Sequence, residues 1–524
     1  MTEPTTAADS QAAARRAARD RLKDLPEPSL IELFDADPAR VEAMTRRLEW
    51  PGAEGEVSGM RVDFSKTHLD AAVLDAFEEL AEACGFDAAR KALFSGGIVN
   101  VTEGRAANHG AMRGSGTDAD TEEAAALLAR MGMLVEAIHE GALGDIRHLI
   151  HIGIGGSALG PALAVDALTR DLAKVDVHVV SNIDGLALEA AFAACDPATT
   201  LIAVASKTFT TIETMTNAQS AIQWLEREGV ADPSGRVIAL TASPERAVEW
   251  GVDETRILPF PESVGGRYSL WSSIGFPVAL AIGMEEFREF LGGACAIDTH
   301  FRETDGRANA PLLAAFADQY YSQARGCQTR AVFAYDERLA LFPDYLQQLE
   351  MESNGKSVTA TGEPLRGPSA PITWGGVGTD AQHAVFQLLH QGTHLVPVDF
   401  IASIAPGDAL DPAHHKILLT NCFAQGAALM AGGNMSPDGK DSACSFAGDR
   451  PSTMFLLDDL DPATLGALIA FHEHRTFANA VLMGINPFDQ FGVELGKVMA
   501  KQIDAGEGDF DASTKVLMAA AGLG

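Results

Sequence analysis

The sequence predicts an α/β protein whose core is formed by two doubly wound parallel sheets. Short apolar runs recur along the chain, each followed by a stretch with helical periodicity, and the first series lies at residues 148–152, 175–180, 200–205 and 236–240. A second series lies at residues 329–334, 394–399 and 453–457, with helical stretches at 381–390, 415–430 and 462–483. Because strands that alternate with helices pair in parallel, each series predicts one sheet.

The length of the chain, 524 residues, is enough for two or more domains. Alanine-rich runs at residues 12–19 and 71–84 indicate that the N-terminal part is helical. The predicted organisation is a helical N-terminal region packing on the second domain (1–110), a first α/β domain (111–285), a second α/β domain (286–505) and a helical C-terminal tail (506–524).

The composition argues against several classes of protein. Apolar residues make up 47% and charged residues 21% of the chain, as in ordinary globular proteins. The formal net charge of -33 disfavours binding to nucleic acid or to an anionic membrane. The six cysteines form no C-x-x-C pair, so neither a disulfide framework nor a zinc knuckle is expected. With no apolar run of about 18 residues and no N-terminal signal pattern, the expected location is the cytoplasm.

Residues 153–157, here called the glycine turn, follow the first predicted strand and precede a helix. Backbone N–H groups at such a turn, together with the helix N-terminus, favour an anion. Gly153, Gly155 and Ala158 also fit the dinucleotide fingerprint, and Asp184 ends the next strand where a ribose-binding acid would lie. A tight turn without a ligand is the third interpretation, and the spacing alone does not separate the three.

Residues 206–211, here called the hydroxyl loop, follow the third strand of the first series. The loop gathers four hydroxyl groups and one ammonium group: Ser206, Lys207, Thr208, Thr210 and Thr211. These donors favour a terminal phosphate, since a dinucleotide pyrophosphate is bound mostly by backbone groups. Thr210 and Glu213 have capping-box spacing, but a helix cap explains only one or two of the polar residues. The loop therefore predicts a monophosphate site.

Glu352 and Arg267 are candidates for the chemistry itself. Glu352 lies in the last turn of a predicted helix that stops at Asn354-Gly355, and it is a candidate general base; a solvated glutamate is the alternative. Arg267 follows two glycines that allow a ligand or the backbone to come close. A structural salt bridge is the competing role for this arginine.

His383 follows the run Thr-Asp-Ala-Gln at residues 379–382, whose spacing predicts a capping box and places the histidine in the first turn of a helix. His390 and His394 are four residues apart and could bind a metal from one helix face. No acidic third ligand lies beside them, so the sequence disfavours this metal site.

Asn486 and Pro487 predict the start of a helix near the C-terminus, because asparagine caps helices and proline is tolerated in the first turn. On that helix one stripe would carry four polar residues: Gln490, Glu494, Lys497 and Lys501. The stripe could face a ligand, or Glu494 and Lys497 could form a surface pair at i,i+3.

Taken together, these segments closely resemble the phosphoglucose isomerase family. The matching runs are Asn-Val-Thr-Glu-Gly-Arg at 100–105, Gly-Ile-Gly-Gly-Ser at 153–157, Ser-Asn-Ile-Asp at 181–184, Ser-Lys-Thr-Phe-Thr-Thr at 206–211, Gly-Gly-Arg-Tyr-Ser at 265–269, Met-Glu-Ser-Asn-Gly-Lys at 351–356, Gln-His at 382–383, and Phe-Asp-Gln-x-Gly-Val-Glu-x-x-Lys at 488–497. They stand in the order of the family, from about residue 100 to about residue 500.

The resemblance implies two sugar-isomerase (SIS) domains, a homodimer, and no metal or organic cofactor. It implies interconversion of glucose 6-phosphate and fructose 6-phosphate through a cis-enediol, a step of glycolysis and gluconeogenesis. A sugar-phosphate-binding module without catalysis and a nicotinamide-dependent dehydrogenase are the alternatives.

The resemblance also implies roles for individual residues. It assigns the sugar phosphate to one group of residues: Gly156, Ser157, Ser206, Lys207, Thr208 and Thr211. It implies that Glu352 moves the proton between C2 and C1 and that Arg267 lies beside the enediolate. It implies that His383, supplied by the partner subunit, and Lys497 open the sugar ring, with Gln490 close to the sugar.

Overall fold

The computed structural model describes residues 7–52, 57–170 and 173–523. The helices are α1 Ala7–Asp24, α2 Leu30–Ala36, α3 Arg40–Met44, α4 Ala71–Cys84, α5 Phe86–Phe94, α6 Asp118–His139, α7 Leu159–Leu168, α8 Gly185–Ala194, α9 Ile212–Arg227, α10 Pro244–Trp250, α11 Phe276–Ile282, α12 Met284–Glu303, α13 Ala310–Gln319, α14 Phe342–Gln347, α15 Asp380–Gln391, α16 Pro412–Ala431, α17 Pro462–Met483, α18 Glu494–Asp504 and α19 Ala512–Ala520. The strands are β1 Thr45–Pro51, β2 Val57–Asp63, β3 His148–Ile152, β4 Asp176–Val180, β5 Thr200–Ala205, β6 Val237–Thr241, β7 Ile257–Pro259, β8 Thr329–Tyr335, β9 Ile372–Val377, β10 Val398–Ser403, β11 Gly433–Asn434, β12 Ser445–Phe446 and β13 Ser452–Leu457.

The first sheet contains five parallel strands in the order β4-β3-β5-β6-β7. Every side chain of β5 and β6 is buried, as expected for a parallel sheet with helices on both faces. The chain order reverses between β3 and β5, and doubly wound folds bind ligands at this position, beyond the carboxyl ends of the strands. The glycine turn follows β3 and the hydroxyl loop follows β5.

The second sheet has the order β1-β2-β13-β10-β8-β9. Its strands are parallel from β13 to β9, whereas β1 and β2 form an antiparallel hairpin that pairs with β13. The α/β class with parallel sheets is therefore confirmed. The region 1–110 contains helices α1–α5, as predicted, and also this hairpin, which was not predicted.

Strand β10 begins four residues later than predicted, at Val398 instead of His394. The buried run is Val-Asp-Phe-Ile-Ala-Ser, which includes the single charge of Asp399. Helix α15 ends at Gln391, so His390 and His394 do not share the helix face that was considered for this pair. His390 instead places Nε2 2.9 Å from the amide oxygen of Gln425.

The chain forms two compact units, residues 1–487 and residues 488–524. The helix predicted to start at Asn486 is wrong, because α18 begins only at Glu494. The Asn486 amide instead donates to Asn100 Oδ1 at 2.9 Å and to Thr102 Oγ1 at 2.8 Å, so it does not cap a helix. The limits predicted for the two α/β domains stay predictions.

Helix α17 is the central helix of the larger unit, and it buries nearly every side chain. Glu473 on this helix contacts Arg113 and also accepts a 2.9 Å hydrogen bond from Trp271 Nε1. Arg113 donates two further bonds, of 2.6 and 2.7 Å, to Asp298 on α12. Among the helices of the described chain, none combines the length and apolar composition needed to cross a membrane.

Replacing Arg113 with Met should strongly destabilise the protein. The side chains of Arg113, Asp298 and Glu473 are fully buried, so the substitution leaves two carboxylates without a cation. We expect a loss of about 3–5 kcal/mol in the free energy of unfolding, measured by denaturant titration. The control is Arg147→Met, because the Arg147–Asp145 pair is 67% exposed on both sides and should contribute less than about 1 kcal/mol. Equal losses in the two variants would contradict the argument.

Candidate active site

The glycine turn and the hydroxyl loop lie side by side at the carboxyl edge of the first sheet. They follow β3 and β5, which are neighbouring parallel strands in the register His148 opposite Thr200 to Ile152 opposite Val204. Helix α7 begins directly after the glycine turn, and α9 begins directly after the hydroxyl loop. Two helix N-termini therefore point to the same edge, which favours a bound anion.

The glycine turn touches the backbone that carries Arg267. A Cβ atom at Gly156 would lie 2.2 Å from the carbonyl carbon of Gly266 and 2.4 Å from the backbone nitrogen of Arg267. A side chain at this position would force the two segments apart. Gly155 has φ of +57°, a left-handed conformation that glycine adopts without strain. The glycine turn is therefore in direct contact with the backbone of Arg267.

His151 supports the glycine turn from inside the sheet. Its Nε2 lies 2.7 Å from the carbonyl oxygen of Ser157, and the side chain is fully buried. Burial lowers the pKa of His151 to about 4, so the ring is neutral near pH 7. Because the partner is a carbonyl oxygen, Nε2 must carry the proton and donate it.

The hydroxyl loop keeps its hydroxyl groups together. The Oγ of Ser206 lies 3.1 Å from Oγ1 of Thr211, and Oγ1 of Thr208 lies 2.8 Å from Oγ1 of Thr210. The N-cap of α9 is Thr211, not Thr210, and it makes no side-chain cap bond, so the predicted capping box is wrong. The Thr211 hydroxyl is therefore not used to cap the helix.

Lys207 is held by two backbone carbonyl groups. Its Nζ donates to the carbonyl oxygens of Glu262 at 2.6 Å and Val264 at 3.1 Å. Burial, together with the nearby cation of Arg105, lowers the pKa of Lys207 to about 8. Carbonyl groups orient an ammonium group without neutralising it, so the lysine keeps its charge for an anion at neutral pH.

Glu352 lies in a π-helical turn, Gln348–Glu352, and its side chain is 23% exposed. One carboxylate oxygen, Oε2, accepts a 2.7 Å hydrogen bond from Nε2 of Gln348. The other oxygen, Oε1, is 3.4 Å from Nη1 of Arg267. The carboxylate is therefore oriented by two partners and still reaches solvent.

Arg267 is buried and anchored on three sides. Besides Glu352, its guanidinium donates to Oγ of Ser353 at 2.6 Å and to the carbonyl oxygen of Pro487. The salt bridge proposed as the competing role is present, and its partner is the candidate base itself. Sequence reasoning missed Gln348 and Ser353 as partners, although the i,i+4 spacing of Gln348 and Glu352 on one helix could have indicated the first.

The remaining predicted residues lie elsewhere on the chain. His383 is exposed on α15, and Thr379, which precedes this helix, makes no side-chain cap bond, so the predicted capping box is wrong here as well. Gln490 and Lys497 belong to the C-terminal unit. The Nζ of Lys497 lies 2.9 Å from Oε1 of Glu494 with both side chains exposed, which is the surface pair considered above.

Asp184 does not support the dinucleotide interpretation of the glycine turn. Its carboxylate accepts a 3.1 Å hydrogen bond from the backbone nitrogen of Leu186 and caps α8. This bond gives the aspartate a structural role that needs no ribose.

Comparison with known proteins decides the family. A family model described as phosphoglucose isomerase matches residues 63–518 of this chain. The chain belongs to the phosphoglucose isomerase family. It is 72% identical over 510 residues to the glucose-6-phosphate isomerase of Erythrobacter litoralis, with 97% of this chain and 98% of that protein covered.

More distant relatives support the same family assignment. The glucose-6-phosphate isomerase of Zymomonas mobilis is 60% identical over 511 residues, with 97% of this chain and 98% of that protein covered. The crystal structure of a glucose-6-phosphate isomerase from Chlamydia trachomatis superposes with a TM-score of 0.85 at 29% identity and covers 100% of both chains. The resemblance to the phosphoglucose isomerase family stated from the sequence is confirmed.

Anion binding at the hydroxyl loop should weaken at alkaline pH. The Lys207 ammonium loses its proton as the pH rises through about 8, so the affinity for sulfate, whose charge is constant there, should fall above that pH. Loss of one charge-assisted contact of about 1.5–3 kcal/mol predicts a fall of tenfold or more. Isothermal titration calorimetry at constant ionic strength measures it.

The matched variants for this test are Lys207→Arg and Lys207→Met. The arginine variant keeps its charge and should lose the alkaline fall, whereas the methionine variant should bind weakly at every pH. A fall above pH 8 that persists in Lys207→Met would show that another group titrates.

Proposed function

We propose that this chain interconverts glucose 6-phosphate and fructose 6-phosphate by moving a proton between C2 and C1 through a cis-enediol. The observation that carries the proposal is the orientation of Glu352 by Gln348 and Arg267. The backbone of Arg267 in turn contacts a glycine turn suited to an anion. The relatives that bear the name glucose-6-phosphate isomerase match nearly the whole chain.

The phosphate end of the substrate is bound by the glycine turn and the hydroxyl loop. The groups we assign to it are Gly156, Ser157, Ser206, Lys207, Thr208 and Thr211. Backbone N–H groups, hydroxyl groups and one ammonium group together suit the oxygens of a phosphate dianion. In a chain with a net charge of -33, this local set of donors must overcome a repulsive overall field.

The reacting carbons lie beside Glu352 in this proposal. The carboxylate takes the proton from C2 of the open aldose, and the electron pair moves through C1 to the carbonyl oxygen. The resulting enediolate is stabilised by the Arg267 cation. The hydroxyl proton on O2 then passes to O1, and the same carboxylic acid returns its proton to C1 as the carbonyl group forms at C2. Because Ser353 and the Pro487 carbonyl fix the guanidinium, little reorganisation is needed when the charge develops.

Ring opening needs further groups, and we assign it to His383 and Lys497, with Gln490 close to the sugar. We propose a homodimer in which His383 enters the site of the partner subunit. The exposure of His383 on α15 supports this assignment, since an exposed histidine is available to a second chain. We propose that the reaction needs no metal or organic cofactor, so the activity should survive a chelator.

Replacing Glu352 with Gln should abolish most of the turnover. Glutamine keeps the size of the side chain but cannot accept the proton, so kcat should fall by about 10²–10⁴-fold. Formation of fructose 6-phosphate, measured with a chelator present, tests the reaction and its independence from metal together. Glu363→Gln, in an exposed loop, is the matched control and should leave kcat unchanged. If Glu352→Gln keeps activity within tenfold of the wild type, Glu352 is not the base. If the wild type binds the sugar phosphate without converting it, the chain is a sugar-phosphate-binding module without catalysis.

Two inactive variants should restore each other if sites are shared between subunits. Mixing Glu352→Gln chains with His383→Ala chains places one intact glutamate and one intact histidine in the same site of each mixed dimer. With random pairing, half of the dimers are mixed and each has one working site, so about a quarter of the wild-type activity should return. If activity does not recover after verified subunit exchange, His383 acts in the site of its own chain.

A further inference from the structure

Two histidines and one cysteine meet at the end of the first sheet opposite the candidate active site. His148 is the first residue of β3, and the register pairs it with Asp176 and pairs Ile150 with His178. Alternate residues of a strand share a face, so His148 and His178 lie on the same face of the sheet. Cys195, the C-cap of α8, is buried in the apolar cluster on this face.

The donor atoms of this cluster are close together. One ligand atom from each of His148, His178 and Cys195 lies within 4.8 Å of the other two. Two ring nitrogens, Nδ1 of His148 and Nε2 of His178, are buried and have no hydrogen-bond partner in the described part of the chain. Buried polar atoms are normally paired, so two unpaired nitrogens beside one thiol indicate that a ligand belongs there.

We propose that His148, His178 and Cys195 bind one divalent cation of the zinc type. Two imidazole nitrogens and one thiolate are a preferred ligand set for zinc, and the thiol releases its proton to solvent on binding. The fourth position is left to water or to Asp176, whose Oδ2 lies 3.9 Å from Nδ1 of His148. A tetrahedral ion with bonds of about 2.0–2.3 Å separates its ligands by about 3.3–3.8 Å, so the side chains need to close by no more than about 1.5 Å.

The cysteine spacing in the sequence does not reveal such a site, because each ligand comes from a different element. His148 belongs to β3, His178 to the edge strand β4, and Cys195 to the end of α8. A bound ion would therefore join an edge strand to its neighbour and to a covering helix. The expected effect is a more stable sheet edge.

The proposed ion lies away from the reaction. The glycine turn begins at Gly153, after the carboxyl end of β3, whereas His148 is at the amino end, about 16 Å away at about 3.3 Å per residue. The ion should raise the unfolding temperature and leave turnover unchanged. If no ion binds here, the proposed isomerisation is not contradicted.

Cobalt is the probe that reports the ligands directly. The full-length chain is stripped with a chelator, dialysed and titrated with Co²⁺, and zinc content is measured separately after equilibration with Zn²⁺. We expect one ion per chain, absorption bands of a tetrahedral cobalt–thiolate centre, and a higher unfolding temperature with either metal. Turnover of glucose 6-phosphate should stay within twofold with or without the metal.

Matched variants separate this site from adventitious binding. Cys195→Ser should lose the cobalt–thiolate band. His148→Gln should disturb the fold less, because His148 is partly exposed, and it should lose tight binding of the ion. Cys327→Ser removes another buried free cysteine and should retain both. Absence of stoichiometric binding by the wild type, or a thiolate band that survives in Cys195→Ser, would overturn the proposal.

Discussion

Helix α17 carries charged side chains through the interior of the larger unit, and the surrounding elements have to supply their partners. The four side chains from His472 to Arg475 are at most 3% exposed. Arg475 donates a 2.6 Å bond to Asp399 on β10, in the second sheet, and also pairs with Asp318 on α13. Glu473 contacts Arg113, which precedes the first sheet in the chain. Because a buried charge without its partner is strongly unfavourable, α17 fixes these segments relative to one another.

The same helix holds the segment that carries Glu352. Thr476 on α17 donates a 3.0 Å bond to Oε2 of Glu350, and its carbonyl oxygen accepts a 3.0 Å bond from the amide of Asn354. Glu350 and Asn354 flank Glu352 and are buried, so the segment that carries the carboxylate is bonded to the interior of the unit on both sides. The orientation of the candidate base is thus a consequence of core packing.

Features that depend on local pattern were predictable, and features that depend on distant contacts were not. The strand at 200–205 was predicted to the residue because every position in it is apolar or small and buried. Strand β9 was missed because it contains two glycines, and the β1–β2 hairpin because its charged residues interrupt the apolar alternation. The glycine turn and the hydroxyl loop directly follow strands, as predicted, and residue type alone singled them out.

The hydrogen-bond partners of Arg267 lie far away in the sequence and could not be predicted. Ser353 and the Pro487 carbonyl meet Arg267 across 86 and 220 residues of chain, so no spacing in the sequence could indicate them. The start of the C-terminal helix was misplaced for the same reason, since the Asn486 side chain is engaged by Asn100, far away in the chain.

The backbone contact at Gly156 has a consequence for the selectivity expected of the proposed reaction. Since the glycine turn rests directly on the Gly266–Arg267 peptide, the distance from the proposed phosphate site to the backbone of Arg267 cannot change by moving a side chain. In the proposed reaction, this fixed distance would select for the length of the carbon chain. A four-carbon or seven-carbon phosphate would present the wrong carbon to the carboxylate, whatever its affinity for the loop.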